Sequence, residues 1–172
     1  FPMEFALAEL AKINKELLNE KPHPHLGHGT LHPGMISGGT AQSVIAAEAT
    51  IKWERRTLPG ETNKKLDEEL QRVVSAVLKA PGDHKVTGHQ IYSRPPNEAK
   101  NDPMIELLRE SAGNKDYNGM SYWADSALAA KAGIPSILFG PAGHGAHAID
   151  EWVSKESLLN CYEALKKFIL EL

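Results

Sequence analysis

The apolar run at residues 134–139, together with the loop that follows it, constrains the fold more than any other stretch of this chain. We predict a buried strand there, because the run is short, apolar and flanked by Gly and Pro. It leads into a loop rich in glycine, proline and histidine, and an amphipathic helix follows from about Ser154. This order is typical of α/β proteins, whose ligand sites lie in loops at the carboxyl ends of strands.

The loop carries four side chains that could bind a metal ion, which are His144, His147, Asp150 and Glu151. Small residues surround them, so little side-chain bulk blocks access. Imidazole is a common ligand of zinc, and carboxylates can share the same centre. The alternative is a polar surface loop with two solvated histidines, and the residue types alone leave both interpretations open.

The first half of the chain predicts the order helix, strand, strand, helix, strand. Apolar residues at a helical period place the first helix at 4–19, and the strands follow at 30–37 and 44–58. Thr62 is expected to cap a helix that runs to about Lys79, and the last strand is predicted at 86–93. A strand ahead of the first helix would complete a ferredoxin-like fold, and the sequence does not contain it.

The second half is predicted to alternate between helices and strands, which is the pattern of an α/β fold. Asp102 can cap a short helix, and Asp125 or Ser126 can cap the next one at 127–132. The final helix is expected at 155–172, with its apolar side chains on one face.

Charge, hydropathy and cysteine content exclude several classes of protein. The net charge of −3 gives no basic footprint for nucleic acid. No apolar run approaches the roughly 20 residues that a membrane span needs, and no signal peptide is visible. The single Cys161 cannot form an internal disulfide, so we expect a cytoplasmic protein in which this residue serves packing.

Several short motifs resemble one enzyme family. Residues 133–153 contain, in order, Gly-Ile-Pro, Phe-Gly-Pro, Gly-Ala-His and Asp-Glu-Trp-Val. This order resembles the C-terminal signature of the zinc-dependent amidohydrolase and exopeptidase superfamily of acetylornithine deacetylase, succinyl-diaminopimelate desuccinylase, aminoacylase and glutamate carboxypeptidase. Residues 38–46 and 54–59 resemble the strand pair of its lid. The resemblance implies an α+β lid, ferredoxin-like with its first strand missing, at residues 1–95. An α/β C-terminal part of the metal-dependent catalytic domain would follow at 96–172.

The resemblance also assigns roles to individual residues. It implies that His147 is a metal ligand and that Arg56 holds the carboxylate of the substrate, a task that suits the planar guanidinium fork. Ser43 stands where the family usually has an asparagine that binds substrate, and Gly140 also lies in the substrate-binding part of the signature. The residue pattern alone leaves Arg56 open to a second interpretation, as a surface arginine at a strand end.

The ligands that the family takes from the first half of its catalytic domain are missing. They include a His-x-Asp motif and a Glu-Glu pair, whereas the only Glu-Glu here, Glu68-Glu69, falls in the predicted lid helix and is expected on a solvated face. We therefore expect the N-terminal catalytic half to be missing, with no catalytic residue in this chain, and the chain to be inactive alone.

The complete protein implied by the resemblance is a metal-dependent hydrolase of amide bonds in N-acyl amino acids or short peptides. It would hold two zinc ions, with cobalt or manganese able to replace them, and form a homodimer through the lid. The alternative is a non-catalytic dimerisation or interaction module derived from such an enzyme.

Overall fold

The computed structural model describes residues 1–114 and 116–172, and these residues divide into two compact units. Unit 1 comprises Phe1–Pro96 and unit 2 comprises Asn97–Leu172. The elements form a small α+β structure with two separate antiparallel sheets of two strands each. Within the described ranges, no helix combines the length and the apolar character that a membrane crossing requires.

Unit 1 consists of two helices packed on one face of a β-hairpin. Its elements are α1 (Pro2–Asn19), β1 (Thr30–Gly38), β2 (Ala49–Arg56) and α2 (Asn63–Val77). The strands are antiparallel, with Thr30 opposite Arg56 at one end and Gly38 opposite Ala49 at the other. A bulge between Pro33 and Met35 interrupts the register.

The core of unit 1 is built from one face of α1. The buried residues of α1 are spaced three or four apart, as a helical period requires. They are Ala6, Leu10, Ile13 and Leu17, and Leu31 of β1 and Val73 of α2 complete the cluster. Ile51 and Trp53 of β2 pack against this cluster. Because side chains alternate along a strand, Lys52, Glu54 and Arg56 lie on the exposed face of the hairpin.

The helix boundaries of unit 1 agree with the sequence prediction, but its last predicted strand does not. Thr62 caps α2, since its side chain accepts a hydrogen bond from the Lys65 amide at 3.3 Å. The prediction of a strand at 86–93 is wrong. A strand needs a neighbour for its backbone hydrogen bonds, and β1 and β2 are the only paired strands among the described residues of unit 1.

Unit 2 contains three helices and one very short hairpin. Its elements are α3 (Pro103–Ser111), α4 (Ser126–Lys131), β3 (Gly143–His144), β4 (Trp152–Val153) and α5 (Lys155–Leu170). The side chains of Asp102 and Ser154 cap α3 and α5 by accepting amide hydrogen bonds, and the cap at Asp102 confirms the prediction. Asp125 precedes α4, but its side chain makes no capping bond because its backbone is already helical, with φ −62° and ψ −19°.

The buried strand predicted at 134–139 is also wrong. The segment is in no strand in the part of unit 2 that the structure describes, where β3 and β4 form the only ladder. Ile134 is 58% exposed, and on α5 the predicted apolar face is likewise exposed, with Leu159 at 65%. Unit 2 buries Ile105 of α3 and Ala164 of α5 instead, where these two helices pack together.

Candidate functional site

The β3–β4 hairpin presents the histidine loop, which we define as residues 143–153. Gly143 pairs with Val153 and His144 with Trp152. Only glycine fits at position 143, because a Cβ there would overlap the carbonyl oxygen of Trp152. The chain then turns sharply at Gly145, which has a φ of +73° and accepts a hydrogen bond from the Ala148 amide at 2.6 Å.

His147 holds an unusual backbone conformation in this loop. Its φ is +67°, and among the described residues no other non-glycine has a positive φ. Its amide lies 3.3 Å from Oε2 of Glu151, which accepts a hydrogen bond from it, and its side chain is exposed. Left-handed conformations cost side-chain-bearing residues about 1–3 kcal/mol and cluster at functional sites. The loop therefore presents an accessible imidazole on a strained backbone.

The other candidate ligands of the loop have different surroundings. The ring of His144 lies 6.3 Å from the ring of Trp152, its partner across the hairpin. Glu151 bonds the backbone of His147, as described above. Among residues 1–114 and 116–172, no group of three His, Cys, Asp or Glu side chains could hold a metal ion. The described part of the loop is therefore not a complete metal site, and a metal-binding role of His147 stays a prediction.

Arg56 ends β2 on the exposed face of the hairpin. Its side chain is half exposed, and its Nε donates to Oε1 of Glu54 at 2.8 Å. The second oxygen of Glu54 lies 3.9 Å from Nε2 of His32, which is its cross-strand neighbour. The guanidinium is therefore accessible from solvent and already in contact with one carboxylate.

Ser43 and Gly140 are both exposed loop residues. Ser43 lies between β1 and β2, beside the exposed Val44 and Ile45. It is at the opposite end of β2 from Arg56, and the eight residues of that strand span roughly 26 Å at about 3.3 Å each. The hairpin therefore does not bring these two predicted substrate-binding residues together within one chain. A side chain at Gly140 would meet nothing within 4 Å.

Sequence reasoning missed a cluster of buried charges in unit 1, formed by Arg55, Glu61 and Glu69. Their side chains are 8%, 11% and 10% exposed, respectively. Arg55 donates from Nε to Oε2 of Glu69 at 2.9 Å and from Nη2 to Oε1 of Glu61 at 2.5 Å. The expectation that Glu69 lies on a solvated face is wrong. The available signal was Arg55 itself, because it follows Ile51 and Trp53 at alternate positions and so points inward.

Hydrogen bonds favour the charged forms of Glu61 and Arg55 despite the burial of both side chains. Burial by itself would raise the pKa of Glu61, but hydrogen bonds from Arg55, Lys65 and the Leu58 amide outweigh it and hold the pKa below its usual range. Burial likewise opposes the charge of Arg55, yet its hydrogen bonds to Glu69 and Glu61 raise its pKa above the ordinary value. The three side chains therefore form a group of paired charges inside unit 1.

Similarity to known proteins extends over both units. Residues 2–81 match the family model described as a peptidase dimerisation domain. Acetylornithine deacetylase of Buchnera aphidicola subsp. Schizaphis graminum is 24% identical over 170 residues, which cover 97% of this chain and 44% of that protein. Acetylornithine deacetylase of Myxococcus xanthus is 24% identical over 145 residues, covering 81% of this chain and 37% of that protein. The chain thus spans less than half the length of these curated relatives.

One solved structure shares the fold. The crystal structure of aminopeptidase PepT from Bacillus cereus ATCC 10987 superimposes with a TM-score of 0.65 and 18% identity, covering 96% of this chain and 44% of that one. Residues 2–81 thus match the model of a peptidase dimerisation domain, and the similarities along the whole chain are consistent with the M20 peptidase superfamily.

Proposed function

We propose that this chain is part of a metal-dependent hydrolase that cleaves amide bonds in N-acyl amino acids or short peptides. The observation that carries the proposal is the match of residues 2–81 to a peptidase dimerisation domain, in a chain similar to an acetylornithine deacetylase over 97% of its length. Unit 1 would be the lid and dimerisation domain, and unit 2 the C-terminal part of the catalytic domain. The chain would be inactive alone, because the remaining metal ligands and the general base would come from outside it.

His147 would supply one metal ligand in the complete enzyme. A bound zinc ion would polarise the amide carbonyl and lower the pKa of a water molecule, and cobalt or manganese could take its place. The exposed imidazole and strained backbone of His147 support this role. Because stable zinc sites use three or four protein ligands, this chain alone should bind zinc weakly or not at all.

Arg56, Ser43 and Gly140 would contact the substrate. Arg56 suits a carboxylate because its guanidinium can donate two parallel hydrogen bonds, and its bond to Glu54 already has this chemistry. In the complete enzyme, Arg56→Lys should weaken binding of substrates with a free carboxylate and affect carboxylate-free analogues much less. Equal losses for both substrate types would refute the role.

The lid would form a homodimer. β1 and β2 pair only with each other among the described residues, so each has an outer edge whose backbone groups can bind another chain. The partners of the complete protein would thus be a second copy and a small substrate in the cytoplasm. Light scattering that shows only monomer at tens of micromolar would contradict the dimer.

The metal assignment has a matched control in the same loop. In the complete enzyme, His147→Ala should remove about one metal ion per subunit and nearly all activity. His144→Ala should keep both, because the ring of His144 lies against Trp152 in the hairpin. Atomic emission of the purified proteins measures the metal content. Full metal content in the His147→Ala protein would reject the assignment and favour a non-catalytic dimerisation module.

A further inference from the structure

The guanidinium of Arg55 binds the backbone of its neighbour Arg56 from inside unit 1. While Nε and Nη2 bond the carboxylates of Glu69 and Glu61, Nη1 donates to the carbonyl oxygen of Arg56 at 2.6 Å. Arg55 and Arg56 project to opposite sides of β2, because side chains alternate along a strand. All three nitrogens of the buried guanidinium thus have fixed partners, and one of these partners is the backbone that carries Arg56.

The carboxylate of Glu61 bonds the turn that follows β2, two residues beyond Arg56. Its Oε2 accepts a hydrogen bond from the Leu58 amide at 2.7 Å, and its Oε1 bonds both Arg55 and Lys65. The backbone between Arg56 and Leu58 is therefore held at a carbonyl group and at an amide group. The two side chains that hold it are bonded to each other.

The packing around this contact is tight at Gly29. A Cβ at Gly29 would lie 2.8 Å from Nη1 of Arg55 and 3.2 Å from the carbonyl oxygen of Arg56. The Arg55 guanidinium would have to move away from such a Cβ, so glycine at this position allows the Arg55 bond to form.

We infer that Arg55 and Glu61 are positioning residues for Arg56, fixing the end of β2 so that the exposed guanidinium is aimed at the substrate carboxylate. The inference rests on the proposed role of Arg56. Buried ion pairs are a weak source of stability, because desolvation offsets much of their attraction. Their effect on geometry is more direct, since a displacement of about 1 Å at a binding group can cost about 100-fold in rate.

The test compares two arginines that each bond two glutamates. Arg55→Lys keeps the charge and loses the planar fork. Arg72→Lys is the matched control, because Arg72 joins α2 to Glu9 and Glu16 of α1 rather than to the end of β2. Binding of N-acetyl-L-alanine and of its primary amide is measured by NMR titration of the chain, together with hydrogen exchange of the Leu58 amide.

We expect Arg55→Lys to weaken binding of the carboxylate at least tenfold, to leave the amide unchanged, and to accelerate exchange at Leu58 at least tenfold. The control should do neither, even if it lowers the unfolding midpoint equally. Glu61→Gln is a second variant, and it should give the same losses. Unchanged binding in either folded variant, or failure of both to fold, would overturn the inference. If Arg56→Lys itself leaves binding unchanged, the proposed role of Arg56 fails, and exchange at Leu58 alone then decides whether the cluster fixes the turn.

Discussion

The strain at His147 predicts that the two histidines of the histidine loop respond in opposite ways to replacement by glycine. A left-handed conformation costs an L-residue about 1–2 kcal/mol that glycine does not pay. Glycine also loses about 0.5–1 kcal/mol more than alanine through the freedom of the unfolded chain. His147→Gly, with its φ of +67°, should therefore leave the free energy of unfolding unchanged or raise it by up to about 1.5 kcal/mol.

His144→Gly is the matched control for this effect. His144 is in the β3–β4 ladder without a positive φ, and its ring lies against that of Trp152. The free energy of unfolding of His144→Gly should fall by about 0.5–1 kcal/mol because the unfolded chain gains freedom. It should fall further because the ring contact is lost. The two substitutions remove the same side chain three positions apart, so the sign of the change distinguishes strain from packing.

Urea denaturation followed by tryptophan fluorescence measures both variants. A Trp53→Phe background removes the signal of unit 1, so that Trp123 and Trp152 report on unit 2. A midpoint for His147→Gly that falls as far as that of His144→Gly, at an unchanged slope, would refute the reasoning. It would mean that the His147 side chain makes stabilising contacts that outweigh its backbone strain.

Three further predictions concern unit 1. Leu10→Ala should cost about 2–5 kcal/mol, because Leu10 is 1% exposed in the core, whereas the 49% exposed Leu18→Ala should cost far less in urea denaturation. The pKa of Glu61 is lower in the folded state than its ordinary value of 4.5, so the unfolded chain binds the proton first as the pH falls. Its contribution to stability should be complete above pH 4.5 and disappear as the pH falls below that value; an equally steep acid loss in Glu61→Gln would contradict this. Glu54→Gln should tighten binding of N-acetyl-L-alanine at Arg56, since a competing carboxylate is removed, and weaker binding in the titration would show that Glu54 instead orients the guanidinium.

The helices were predictable because their signals are local. Thr62 and Asp102 cap the helices that the sequence assigned to them, and each cap bonds an amide two or three residues away. The apolar period of residues 4–19 likewise predicted the helix that the structure has as α1. A helix forms its backbone hydrogen bonds within one segment, so neighbouring residues suffice to define it.

The candidate site was predictable only in part. Resemblance singled out His147 and Arg56, but the left-handed backbone of His147 is visible only in the folded loop. Arg55 was missed because its partners, Glu61 and Glu69, are 6 and 14 residues away. They meet its guanidinium only once α2 is in place.

The sequence by itself determined the helices and the exposed side of β2, and it indicated a tendency to form strands at 86–93 and 134–139. The tertiary structure decided which extended segments became strands. Residues 30–38 and 49–56 did so because a hairpin gives each the other as a partner. Residues 86–93 and 134–139 did not, since no described strand lies beside them. A strand is stabilised by hydrogen bonds to a second segment. The local sequence therefore gives only a tendency to form a strand, and the tertiary structure decides whether a neighbouring strand is present to pair with it.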